Sequence, residues 1–305
     1  MQAGGLMAVS KLDPRAFVTL LLLACMFGAN HVAARVAFNH GLDVATAVAV
    51  RSLGTAALVA LLVVVQGVPR RLSPRQWKLL LGMGVVLAAQ GLCLYSAVAR
   101  LPVVLALLAF NTFPLWTAFW SRVLYRQRPA RATLMAMPVI LLGLTLALDV
   151  FGAASGLGAA GQWSRIGAGV AFAVTAAAAF GLALVITQHE AADVDGRVRT
   201  ALSMAVVGVV AVLVVAAQGG PHFPTASAGW WGLLLLTLLY GSAITVTFTL
   251  LPKLGVMGSS PILNVEPVAS LVMAWLVLGQ SIAPVQVLGS LIVVGAVMWL
   301  GLRRS

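Results

Sequence analysis

Ten apolar segments, each long enough to cross a bilayer as a helix, occupy most of this 305-residue chain. They run approximately over 16–38, 43–65, 77–98, 102–122, 132–149, 165–188, 199–217, 229–252, 257–278 and 284–302. Hydrocarbon offers no hydrogen-bond partners, so a span must satisfy its own backbone, as a helix or within a closed barrel. Barrel strands read as short alternating runs, and the sequence has none. The fold class is therefore all-α integral membrane, with ten transmembrane helices. Composition supports this, with 9% of residues charged against about a quarter in soluble domains. The net charge of +12 would suit nucleic acid. The charges sit between apolar runs, however, with no basic arm or face, and no nucleic-acid partner is expected. The first apolar run follows Lys11 and Arg15 and is longer than the core of a cleaved leader. Residues 1–15 thus read as a short cytoplasmic segment before the first helix.

The basic residues set the orientation. With the N-terminus in the cytoplasm, the cytoplasmic segments hold Lys11, Arg15, Arg70, Arg71, Arg75, Lys78, Arg122, Arg126, Arg128, Arg131, Arg197, Arg199, Lys253, Arg303 and Arg304, fifteen of the nineteen. Only Arg100 and Arg165 fall in outer loops, while Arg35 and Arg51 lie within helices. Both termini are expected in the cytoplasm of a bacterial-type inner (plasma) membrane.

The chain also matches itself. At a shift of 153 residues, Trp77 falls on Trp230, Arg100 on Lys253, Asn111 on Asn264 and Pro114 on Pro267. Gln66-Gly-x-Pro falls on Gln218-Gly-x-Pro at a shift of 152. Helices one to five and six to ten therefore read as two copies of one unit. Five is odd, so the copies enter the membrane from opposite sides, as in the inverted repeats of many transporters.

Polar residues inside the spans mark the candidate site. Asn111 and Asn264 each lie about nine residues into a segment, near 13 Å deep at the helical rise. Each precedes a proline by three residues. Pro114 and Pro267 have no N–H for the preceding turn, which makes matching helix breaks or hinges in the two halves. Glu266 is the only acidic residue deep in a span. A carboxylate there costs about 3 kcal/mol on insertion scales, so it is expected to face the bundle interior, as a ligand for a substrate cation or as a proton-coupling group. Asn30, His31, Arg35, Asp43 and Arg51 cluster toward the outer ends of the first two helices. Arg51 lies too deep to snorkel easily and suits a substrate carboxylate. Arg35 reads as snorkelling to the interface, and Asp43 as the partner of an arginine. In the fourth helix, spacings of three and four place Phe113, Trp116 and Trp120 on one face, where they can stack on a flat substrate. Gln90, Tyr95 and Tyr240 complete the candidates. Trp77, Trp230 and Trp231 fit the interfacial belt. Small residues at four-residue spacing in helix one (Cys25, Ala29, Ala33, Ala37) and helix six (Ala173, Ala177, Gly181) suggest a seam between these two equivalent helices.

No catalytic residue, cofactor or metal site is expected: H-E-x-x-H, G-x-S-x-G and the P-loop are missing, and no second intramembrane carboxylate accompanies Glu266. Cys25 and Cys93 sit in apolar runs and read as packing residues.

The segments FGANHVAARVAFNHGLDVATAVAVR (27–51), Asn111–Pro114 with its basic connector, and NVEPVASLVMAWLVLGQSIAPVQVLGSLIVVGAVM (264–298) resemble the drug/metabolite transporter superfamily, specifically its EamA type. The usual turn glutamate is Gln280 here, and the usual tryptophan of the first helix is Phe27. The resemblance implies two EamA-like five-helix repeats, placed here at 16–150 and 164–302, around a central cavity. It also implies export or exchange of small metabolites. Arg51, Glu266 and the aromatic residues favour an amino acid or a related solute, carried by a monomer in the lipid bilayer, with protons as a candidate coupling ion. An intramembrane enzyme on lipid-linked substrates and a passive facilitator are the alternatives.

Overall fold

The computed structural model describes residues 14–69, 71–127, 131–152, 156–249, 266–279 and 283–304. Asn264 and the first part of the ninth expected segment lie outside them. Every regular element among the described residues is a helix. In order these are α1 (Pro14–Asn39), α2 (Val44–Val65), α3 (Pro74–Arg100), α4 (Val103–Phe110), α5 (Phe113–Tyr125), α6 (Arg131–Ala147), α7 (Gly158–Glu190), α8 (Gly196–Ala217), α9 (Ser227–Thr249), α10 (Glu266–Leu278) and α11 (Pro284–Arg304). Among the described residues seven spans are long and apolar enough to cross a membrane, and Leu134–Ala147 and Pro284–Ala296 are shorter apolar helices.

Local sequence sets the helix ends. Asp43 caps α2 by accepting from Thr46 N. Ser73 and Gln76 form a reciprocal capping box on α3, with Pro74 in its first turn. Pro102 disfavours continuation of α3, and α4 restarts at Val103. The expected fourth segment is one span made of two helices. It breaks at Asn111–Thr112 because Pro114 has no N–H to give Phe110. The Thr112 hydroxyl donates to Ala109 O at 2.8 Å and satisfies a carbonyl at the break. α4 is apolar and buried along its whole length, as befits a helix enclosed by others.

Equivalent helices run antiparallel. α2 packs on α8, with Gln66 beyond the end of α2 meeting Arg197 at the start of α8, and Asp43 before α2 meeting the His222 backbone N–H beyond α8. α6 packs on α11, with Gln286 Nε2 donating to Ala147 O at 3.2 Å. The remaining contacts exchange under the same operation: α3 with α7 mirrors α9 with α1, and α5 with α7 mirrors α10 with α1. Even the helix caps correspond. Arg126 after α5 and Gly279 after α10, 153 residues apart, both adopt the left-handed conformation, at φ 54° and 63°.

Three expectations change. The small-residue stripes of α1 and α7 do not face each other: Ala33 and Ala37 receive Gly232 of α9, and Gly181 receives α5. Such a stripe permits close approach without naming its partner. Among the described residues Asp43 pairs with no arginine. It caps α2 and accepts from the connector after α8. Arg35 does not snorkel, because its Nη1 donates to Val98 O at 2.7 Å and to Leu101 O at 3.3 Å. It thereby satisfies open carbonyls at the negative end of α3.

At the end of the bundle where α7 gives way to α8, Glu190 pairs with Arg75 at 2.7 Å and accepts from Tyr125 at 3.2 Å, while Gln76 donates to Asp193. The adjacent Arg197 side chain hydrogen-bonds to Asp195 and holds its carboxyl below the usual carboxylate range.

The α6–α11 crossing depends on backbone contact. A Cβ at Gly289 would lie 2.5 Å from Gly143 O. Gly289→Val is expected to lower stability by roughly 1–3 kcal/mol through overpacking, read as a drop in thermal midpoint in detergent. Gly82→Ala, with open space beside it, serves as the tolerated control.

Candidate functional site

Six of the expected residues come together from five helices. Arg51 is seven residues into α2, about 10 Å along its axis. Its residue is 5% exposed. The guanidinium carbon lies 4.8 Å from the Tyr95 ring centroid on α3 and 4.0 Å from that of Tyr240 on α9. Each such cation–π contact contributes about 0.5–2 kcal/mol, most when desolvated. One guanidinium nitrogen donates to Tyr95 Oη at 3.3 Å. Asn30 of α1 donates to the same hydroxyl at 3.0 Å, in a pair where each group can donate to the other. Among the described residues Arg51 has no carboxylate partner, and its Nε is buried without a hydrogen bond. Gly91 on α3 lies beside it, where a Cβ would make ordinary contact with Nη2 at 3.5 Å.

The acidic pole is close by. His31, next to Asn30, places Nε2 3.3 Å from Glu266 Oε1. The His31 ring is 5.8 Å from Tyr95, so Tyr95 touches both the Arg51 and the His31 side of the cluster. The Glu266 side chain is 29% exposed and that of His31 8%. Glu266 is the first described residue of α10.

The other candidates have other partners. Asn111 is half-buried and ends α4. Phe113 packs with Phe110 at 5.8 Å and with Phe180 of α7 at 5.2 Å. Trp116 lies against Gly181 and edge-on to Phe119, and Trp120 Nε1 donates to Ala178 O. The shared aromatic face of α5 therefore docks on α7. Gln90 is half-buried on α3. Trp77, Trp230 and Trp231 are exposed on the outside of the bundle, as belt residues would be.

The internal repeat shows how unequal the two halves are. At the 153-residue shift the mates of Asn30, His31, Arg51 and Tyr95 are Ala183, Leu184, Met204 and Phe248, and the mate of Glu266 is Phe113. The polar groups thus surround the α1–α10 contact, and their mates around α5 and α7 are apolar or aromatic. Tyr240 bridges the halves: its ring faces Arg51, and its hydroxyl approaches Sδ of Met204, the mate of Arg51, at 3.8 Å.

A family model for the EamA-like transporter family matches this chain twice, over residues 15–148 and 167–302. The chain belongs to the EamA-like transporter family. It is accordingly a multi-pass membrane protein of a family that transports small solutes. A solved crystal structure of a protein superposes on this EamA chain with a TM-score of 0.63 at 17% identity, covering 96% of this chain and 99% of the other. That likeness concerns the fold alone. No curated protein matches the chain. The two family matches coincide with the two sets of helices whose members pair antiparallel.

Tyr95→Phe removes the hydroxyl shared by Asn30 and Arg51 and leaves buried donors unmatched, at a cost of about 1–3 kcal/mol. Tyr240→Phe keeps the ring over Arg51 and loses only a weak sulfur contact. Thermal unfolding in detergent should therefore show a clear loss for Tyr95→Phe and little for Tyr240→Phe.

Proposed function

We propose that this protein is an inner-membrane exporter of small organic metabolites, an amino acid or a related solute above all. It works as a monomer by alternating access between two inverted five-helix repeats that make ten spans in all, with both termini in the cytoplasm. One observation carries the reading: the polar cluster draws Asn30, His31, Arg51 and Tyr95 from the first repeat and Tyr240 and Glu266 from the second. A site assembled from both repeats is remade whenever the repeats move against each other, which is what alternating access requires.

In this reading Arg51 takes the substrate carboxylate. Its guanidinium carbon lies near two tyrosine rings and one N–H goes to Tyr95 Oη, and its other N–H groups are left for an anion. Glu266, beside His31, takes the substrate ammonium group or a proton. Asn30 and His31 hold these groups in place, and Asn111, Asn264 and Gln90 add polar contacts along the path. Phe113 and Trp116 supply an apolar wall, and Pro114 and Pro267 mark the flexible points of the two broken spans. Transport needs no cofactor or metal in this scheme.

Reconstituted vesicles loaded with radiolabelled phenylalanine test it. Wild-type protein should give saturable counterflow, with net flux that responds to an imposed pH gradient. Glu266→Gln should abolish the response to the gradient while leaving exchange measurable. A Glu266→Gln variant coupled as strongly as wild type would remove the proton role. Flux that does not saturate would indicate a passive facilitator. Consumption of a lipid-linked substrate without flux would indicate an enzyme.

A further inference from the structure

Two helix crossings correspond across the repeat. On α1, a Cβ at Gly28 would meet Ser270 Oγ at 2.8 Å, Ser270 N at 3.1 Å and Glu266 O at 3.3 Å. On α7, a Cβ at Gly181 would meet Thr117 N at 2.8 Å, Trp116 Cβ at 2.9 Å and the Trp116 carbonyl carbon at 3.0 Å. Gly28 and Gly181 are 153 residues apart, and so are Thr117 and Ser270. In each repeat the equivalent glycine therefore lies against the equivalent hydroxyl residue of the other repeat, three residues past a proline. A real Cβ essentially never comes within 3.0 Å of another heavy atom; one at Gly181 would meet the α5 backbone, and one at Gly28 would displace the Ser270 hydroxyl and crowd the α10 backbone.

The two crossings differ in chemistry. At α1–α10, His31 follows Gly28 by one turn and holds Glu266 at 3.3 Å. At α5–α7 the mates are Leu184 and Phe113, and no ion pair can form. The Thr117 hydroxyl donates to Phe113 O at 2.9 Å. Among the described residues the buried Ser270 hydroxyl has no hydrogen-bond partner, an unfavourable state that separation of α10 from α1 would relieve.

We propose that Gly28 and Gly181 are paired positioning residues of the transport cycle. α10 rests on α1 at Gly28 and α5 rests on α7 at Gly181, the two contacts open in alternation, and the His31–Glu266 pair latches only the first. This rests on the alternating-access reading above. It adds that the Glu266 site is itself the latch. A substrate ammonium group that takes the carboxylate from His31 thereby frees α10, whereas the α5–α7 contact parts as an apolar surface.

The test uses full-length protein in vesicles, with Cys25→Ser and Cys93→Ser as background. Ser270→Cys or Thr117→Cys then reports each crossing through its labelling rate with a membrane-impermeant maleimide. Adding Gly28→Ala should raise labelling at 270 and lower it at 117, each several-fold. Gly181→Ala should do the reverse. His31→Gln should reproduce the Gly28→Ala pattern, and Leu184→Ala should produce neither. If Gly28→Ala fails to fold, His31→Gln decides alone. Labelling that changes in the same direction at both crossings, or at neither, overturns the proposal. Phenylalanine counterflow in the same vesicles separates the two readings: saturable flux with non-reciprocal labelling overturns the pivots alone, and loss of saturable flux from the unsubstituted protein overturns alternating access itself.

Discussion

A buried guanidinium, that of Arg51, with no carboxylate beside it among the described residues is the feature around which the rest of this molecule is arranged. Isolated charge in hydrocarbon is costly. The chain meets that cost with aromatic faces. Tyr95 and Tyr240 lie against the guanidinium, and Tyr95 is fixed by Asn30. These contacts bind α1, α2, α3 and α9 together. Among the described residues they leave Nε without a partner, and in the proposed function a solute carboxylate would supply the missing charge.

Around that site the backbone is close to symmetric and the chemistry is not. Antiparallel pairing of α2 with α8 and of α6 with α11 places equivalent helices face to face. The glycine crossings and the left-handed caps at Arg126 and Gly279 repeat across the two halves. At the cluster around Arg51 and Glu266 the polar side chain stands on one side of each equivalence: Arg51 against Met204, Tyr95 against Phe248, Glu266 against Phe113. In the proposed cycle a symmetric frame would give two conformations of similar packing energy, and an asymmetric lining would let substrate or protons choose between them. A ligand shifts such an equilibrium only through different affinity for the two states, and a pole that exists on one side supplies that difference.

Much of the frame was legible in the residues. Apolar lengths marked the spans, the missing N–H of Pro114 marked the break that appears at Asn111–Thr112, and the 153-residue shift marked the two repeats. The depth of Arg51 and Glu266 singled both out. What stayed hidden was pairing. His31 and Glu266 are 235 residues apart, and nothing local to either names the other. Tyr95 and Tyr240 stood among the weaker candidates because stacking on a cation from separate helices leaves no local pattern. The stripe on α1 announced close packing but not α9 and α10 as its partners. The role of Asp43 was readable, since an aspartate three residues before Thr46 at the start of a span is a typical N-cap. Charge balance drew attention from it.

The central claim is that the two repeats rock against each other around the Arg51–Glu266 site. Spin-label distances at repeat-equivalent pairs address it most directly: Arg126 with Asp193 at one end of the bundle, and Gly279 with His40 at the other, each partner 153 residues from its mate. Pulsed dipolar measurements in lipid, with and without phenylalanine, should show one distance lengthening as the other shortens. Distances that stay single and fixed, or that lengthen together, would contradict the account.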